Sequence, residues 1–355
     1  MAGRGKKFLI GCGVACGALF LLAIVLMVSF YSWLSRPGEL LKPESLLSSD
    51  TLGFVEWTLT LEDPGTRRFV DSLYERNQAQ NSPGQTPLPP ALEKLLMGWQ
   101  GKRNRKSFEQ LFPVSIAWFL RAGEGPEEDR HLFSLSLEKA GNRLVFTDWI
   151  MGLTLGLSQQ RQAQKIPYKE ENLYRFNLPG QDPLVVFIRG NDLFFTYDLD
   201  TARRAVDQLV TPDSSRERSA VEDLFARAPV NQPLRGALSN GRGEIFRTWE
   251  KLAVQIKDRD AVRQWTDALQ GVTLSGELTE DGKLLGKLEL HCPDAGWASS
   301  HADAALQLFV AGLDYEGLDL ETQGQADGDR IHIEFQLGGF VKLLEQLDGV
   351  TGELN

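Results

Sequence analysis

From residue 51 onward, apolar and polar side chains alternate with two different periods, and each switch of period marks a new element. The stretch "TLGFVEWTLTLED" sets Val55, Trp57, Leu59 and Leu61 against Glu56, Thr58, Thr60 and Glu62, the pattern of a strand with one buried face. In "DPGTRRFVDSLYER" the spacing becomes helical: Asp63 can cap, Pro64 suits the first turn, and Phe69, Val70 and Leu73 share a side. Two strands follow, "PVSIAWFLRA" and "RHLFSLSLEK", joined by the acidic loop "GEGPEED". A helical stretch from Arg143 to Leu157 leads to "NLYRFNLP", "LVVFIRG" and "LFFTYDL", with Gly190-Asn191-Asp192 as a turn. "DTARRAVDQLV" then places Ala202, Ala205, Val206 and Leu209 on one helical face.

The second half repeats this order. "PLRGALS" reads as a strand, and a helical pattern runs from Glu244 to Leu269 through Phe246, Trp249, Leu252, Ile256 and Trp265. "VTLSGELTEDGKLLGKLELHC" is a hairpin turned at Asp281-Gly282. A helix carrying Ala302, Ala305, Leu306, Phe309 and Leu313, a hairpin around "ADGDR" and a last helix with Phe340, Leu344 and Leu347 complete it. The repeated order predicts an α+β fold: two similar α+β units, residues 51–215 and 216–355, each built from antiparallel hairpins and packed helices.

Ahead of these units the chain is uncharged from Phe8 to Leu34, which as a helix rising 1.5 Å per residue would reach roughly 40 Å. That length, ended by Phe30, Tyr31 and Trp33 and preceded by Arg4, Lys6 and Lys7, predicts a cytoplasmic tail over 1–7, a transmembrane helix over 8–34 and a tether over 35–50. The expected topology is a single-pass signal anchor with the main domain outside the membrane. Gly13 and Gly17 form a G-x-x-x-G that would let two such helices pack as a homodimer. "LIGC" is weighed as a lipid-attachment box, but too few apolar residues precede Cys12 for that reading to lead.

The charge balance, −10 from 38 basic and 48 acidic residues, makes nucleic acid a poor partner. Beyond the apolar run Cys292 is the one cysteine, so no disulfide forms within the rest of the chain. The apolar run, "SSDTLGFVEWTLTLEDPGTRRFVDSL" and "GELTEDGKLLGKLEL" together resemble an uncharacterised bacterial family of single-span envelope proteins. That resemblance implies a bacterial inner-membrane protein with a periplasmic or extracellular domain, and it brings no catalytic residues with it.

The chain contains no nucleophile elbow, zincin motif, phosphate-binding glycine loop or C-x-x-C, so no catalytic function and no cofactor are expected. The glycines of "RGALSNGRGE" read as an ordinary loop, and "GKRNRK" at 101–106 as a solvated basic loop with a weaker reading as a lipid-headgroup contact. The sharper candidate is histidine. In "LLGKLELHC" and "RIHIEFQL" alternation places Glu289 and His291, and His332 and Glu334, on polar strand faces. If those strands are neighbours, the four residues are candidates for a metal or acid-base cluster. The leading expectation is a non-catalytic interaction or scaffold module of the envelope that holds a protein partner. The alternative is a carrier for a lipid or peptide, with a cavity lined by residues such as Trp118, Phe133, Phe187 or Phe194.

Overall fold

Strand β1 (Thr51–Leu59) takes up the alternation that begins the folded region, with Phe54 packed on one side and Leu59 on the other. Helix α1 (Pro64–Ala79) starts where its capping residues place it: the Asp63 carboxylate accepts from the Thr66 N–H at 2.7 Å. The computed structural model describes residues 41–79, 112–123, 129–140, 163–177, 182–211, 218–247, 259–313 and 318–339, with a few single positions besides.

Strands β2 (Val114–Ala122), β3 (Asp129–Leu137), β4 (Ala163–Tyr168), β5 (Glu171–Phe176), β6 (Leu184–Arg189) and β7 (Asp192–Thr196) precede helices α2 (Leu199–Val210) and α3 (Ala220–Phe225). Next come β8 (Leu234–Ser239), α4 (Arg259–Asp267), β9 (Gly271–Leu278), β10 (Leu284–His291), α5 (Ala295–Gly312), β11 (Asp319–Asp327) and β12 (Arg330–Gly338). Gly282 and Gly328, both at positive φ, turn the β9–β10 and β11–β12 hairpins, positions where a side chain would be strained.

Among the described residues all twelve strands belong to one antiparallel sheet, in the order β11-β12-β10-β9-β8-β1-β2-β3-β7-β6-β5-β4. This corrects the expected α+β fold of two packed units. The strands of both halves are continuous, because β1 pairs with β2 on one side and with β8 on the other. Local periodicity reports which residues share a strand face and is silent on which strands become neighbours across nearly the whole chain.

The transmembrane expectation is also corrected. Among the described residues no helix is long and apolar enough to cross a membrane, so the single-pass signal anchor is unsupported. Residues 8–34, including Gly13 and Gly17, lie outside the described residues except Ser29, as do the basic loop at 101–106 and the last predicted helix from Phe340.

Each face of the sheet carries its own apolar core. On one face Leu59, Val114, Leu137, Val186, Ile331 and Ile333 pack beneath Phe69 and Val70 of α1 and Ala298, Ala305 and Phe309 of α5. On the other, Phe54, Ala117, Phe119, Leu132, Phe187 and Phe194 pack beneath the buried stripes of α2 and α3. Leu46 and Leu47, from the segment that leads into β1, join this second core.

Two buried polar side chains fasten that segment to the sheet. Arg121 Nη2 donates to the Leu46 carbonyl at 2.8 Å and to Gln208 at 2.7 Å. Asp192 accepts from the Leu41 N–H at 3.1 Å and from the Ser136 hydroxyl. Burial raises the Asp192 carboxyl from 3.8 to about 6, partly offset by those two hydrogen bonds.

A carboxyl raised on folding binds more protons folded than unfolded between pH 4 and 6. Its ionisation therefore costs stability as pH rises through that window, by up to about 3 kcal/mol at 1.36 kcal/mol per unit. Asp192→Asn keeps the shape and removes the titration. Urea unfolding from pH 4 to 7 should show the variant lacking a fall in stability that the parent undergoes between pH 4 and 6; superimposable pH profiles would exclude this role.

Candidate interaction face

The site begins with the pairing of β10 and β12. Glu289 lies opposite His332, His291 opposite Arg330 and Lys287 opposite Glu334, so all six share one face of the sheet. The intervening residues, Leu288, Leu290, Ile331, Ile333 and Phe335, turn to the other face and its core beneath α5. The four sequence candidates thus stand on neighbouring strands, with direct contact between Glu289 and His332.

Glu289 is the hub. Its carboxylate lies 3.0 Å from Lys287 Nζ, 3.2 Å from His332 Nδ1 and 3.5 Å from Arg330 Nη1. The His332 contact is close enough for an ion pair but poorly aligned for a hydrogen bond, since Nδ1 has no hydrogen-bond partner. Burial works to raise the Glu289 carboxyl, but the Lys287 hydrogen bond and the charges of Lys287, His332 and Arg330 outweigh it and hold the group below the usual range.

His291 and Glu334 find other partners. The His291 Nε2 lies 3.4 Å from the Thr273 hydroxyl, and the ring is buried. Burial first, then the charges of Arg330 and Arg227, push its pKa below 6.5, so it is neutral at pH 7. Glu334 accepts from the Gln323 amide at 2.7 Å. Cys292 faces the opposite core, where burial raises its thiol to about 11, far from the thiolate that nucleophilic chemistry needs.

This arrangement disfavours a divalent cation. Two of the three groups around Glu289, Lys287 and Arg330, are themselves cations that already neutralise it. Among the described residues no group of three or more His, Cys, Asp or Glu side chains is placed to hold a metal ion. Alternation shows a polar face on each strand, and the pairing of β10 with β12 makes the two faces one. Alternation gave no separate weight to Lys287 and Arg330, the residues that decide the charge at Glu289, although both occupy the same alternating positions.

Exposure across this face is greatest at its outer end, although His332 within it is buried. Thr273 and His291, nearest α3, are buried; Lys287, Glu289 and Arg330 are half-buried; Glu334 and most of β11 are exposed. The aromatic residues expected to line one cavity are divided by the sheet. Phe187 and Phe194 stack at 4.6 Å inside the α2-side core. Trp118 and Phe133 pair on the opposite face, where Phe133 stacks on Phe195 at 5.1 Å and the Trp118 Nε1–H donates to His131 at 3.2 Å.

No family model, curated protein or solved structure matches this chain.

Because burial and Arg330 act on His291 in the same direction, they separate experimentally. In an NMR titration of the imidazole protons, His291 should titrate below 6.5, and Arg330→Gln should move its midpoint upward without restoring the free value. A midpoint at or above 6.5 in the parent chain would contradict the buried, neutral assignment.

Proposed function

We propose that this chain is a non-catalytic interaction module that receives a protein partner on the open end of its sheet, the face and edge formed by β10, β12 and β11. The observation that carries this reading is the division of labour between the two faces of those strands. The α5-side face of β10 and β12 is buried beneath α5, while the opposite face ends in exposed polar residues, Glu334 and those of β11. A strand fixed on one side and open on the other offers a partner main-chain and side-chain groups whose positions are already set. The chemistry supports the same reading: Glu289 is consumed by cations, His291 by Thr273, and the buried Cys292 is held as a thiol.

Photo-crosslinking tests it. A benzophenone amino acid at Gln325 or at Glu334 should capture the same protein, in competition with excess unlabelled chain, whereas one at Val230, exposed in the turn between α3 and β8, should not. Equal capture from all three positions would count against the reading. A substrate turnover lost in His332→Gln would replace it with an enzymatic one.

A further inference from the structure

The two edges of the sheet differ, and the difference points to a partner. Edge strand β4 has six residues, contains Pro167 and Lys165, and is tied down at its end by the Tyr168 hydroxyl, which donates to the Asp207 carboxylate at 3.1 Å. A short strand with an internal proline and a lysine is poorly suited to further pairing. Edge strand β11 has nine residues, pairs with β12 at every position without a bulge, and contains no proline. Among the described residues, nothing pairs with its outer side.

An open edge of that length invites unwanted pairing unless something opposes it. Here the opposing feature is charge. Asp319, Glu321 and Asp327 share one face of β11, and the strand carries no basic residue. If two copies paired antiparallel about Gln323, Asp319 would stand opposite Asp327, with like charges facing each other at both ends. Lys283 at 3.8 Å from Asp319 offsets part of this charge, yet the carboxylates at both ends, Asp319 and Asp327, stay largely exposed, at 71% and 83%.

The charge that repels a second copy attracts a cationic strand. On the other face of β11, Leu320, Thr322, Gly324 and Ala326 are uncharged, and Gly324 lies against Leu306 of α5. The matching strand therefore alternates, with basic residues toward the three acids and apolar residues toward the α5 side.

Resting on the interaction reading, we propose that the β11 edge accepts an extended cationic segment of a partner protein as a thirteenth strand, by main-chain pairing, with specificity set by Asp319, Glu321 and Asp327.

The test uses the full chain and a fluorescent nine-residue peptide alternating lysine and valine. Saturable binding is expected, weakening with salt and by about tenfold in the Asp319→Asn, Glu321→Gln, Asp327→Asn triple variant, as three cross-strand charge pairs would give. Amide exchange in β11 should slow on binding. The same peptide N-methylated at every residue keeps its charge but has no amide N–H left to donate to the edge, and should not bind; equal binding would overturn edge addition. A triple variant that dimerises while the parent ignores the peptide would mean that the acids serve only to keep copies apart, which also overturns the proposal. If the peptide fails while crosslinking from Glu334 still finds its partner, the interaction reading stands and only the edge assignment falls.

Discussion

The pairing of β1 with β8 is the contact on which the rest of the architecture depends. Without it the strands on either side would form two smaller sheets with two more raw edges. The approach is close: a Cβ on Gly236 would stand 2.9 Å from the Val55 side chain and 3.2 Å from the Phe54 carbonyl. The seam is reinforced by Arg235, which meets Glu56 at 3.0 Å and Glu44 at 3.5 Å and lies over the Phe225 ring at 4.5 Å. One side chain thereby links the entering segment, both central strands and α3, with its charge neutralised where it is largely buried.

Once the seam is closed, the fate of each face follows from what is available to cover it. The α5-side face is apolar from β7 to β12 and draws helices from both halves. The opposite face is apolar only where α2, α3 and residues 46–47 reach it. Beyond α3 it changes to Thr273, Glu289, His291 and His332, polar residues that contact one another across strands. Within its α2-side part this face also buries a charge, Arg121. Burial drives Arg121 below its ordinary pKa while Asp50 opposes that shift, and its hydrogen bonds to Leu46 and Gln208 hold the covering segment in place.

Much of this was legible in local pattern. The strand through Val55 and Trp57, the Asp63 cap, the buried stripe of Ala202, Ala205, Val206 and Leu209, and the glycine turns at 282 and 328 all appear where the sequence places them, although β1 is covered on both faces and not on one. Strand β4 was not read, because "AQKIPY" contains a proline and becomes a strand only at an edge, where a missing donor is tolerated. The joining of both halves into one sheet was not readable either, since Phe54 and Ala237 meet through a pairing that no local period encodes. The apolar run from Phe8 is likewise a local signal of length and hydropathy, and the described helices contain no membrane-spanning counterpart. At the site, alternation placed Glu289 and His332 on polar strand faces, and their contact rests on the pairing of β10 with β12. The roles of Lys287 and Arg330 required knowing that β10 and β12 pair in this register.

The two ends of the sheet illustrate how coverage determines what a surface can do. Near β4 both faces are occupied: Leu173, Val185 and Phe187 pack under α2, while Val186 and Ile188 enter the opposite core. Near β11 coverage is one-sided. Phe335 packs against Phe309 of α5 with ring centroids 5.1 Å apart, and its ring also lies over Gly286 of β10, leaving no room there for a Cβ. That packing fixes β10 and β12 from below, and β12 holds β11 in unbroken register. A partner meeting this end would find strands that need little further ordering. Loss of conformational freedom is a principal cost of association, so a preordered edge leaves more of the contact energy for affinity. The α5 cover thus links the core to the proposed interaction: the packing that buries Ile331 and Ile333 also fixes the strands whose other side is free to bind.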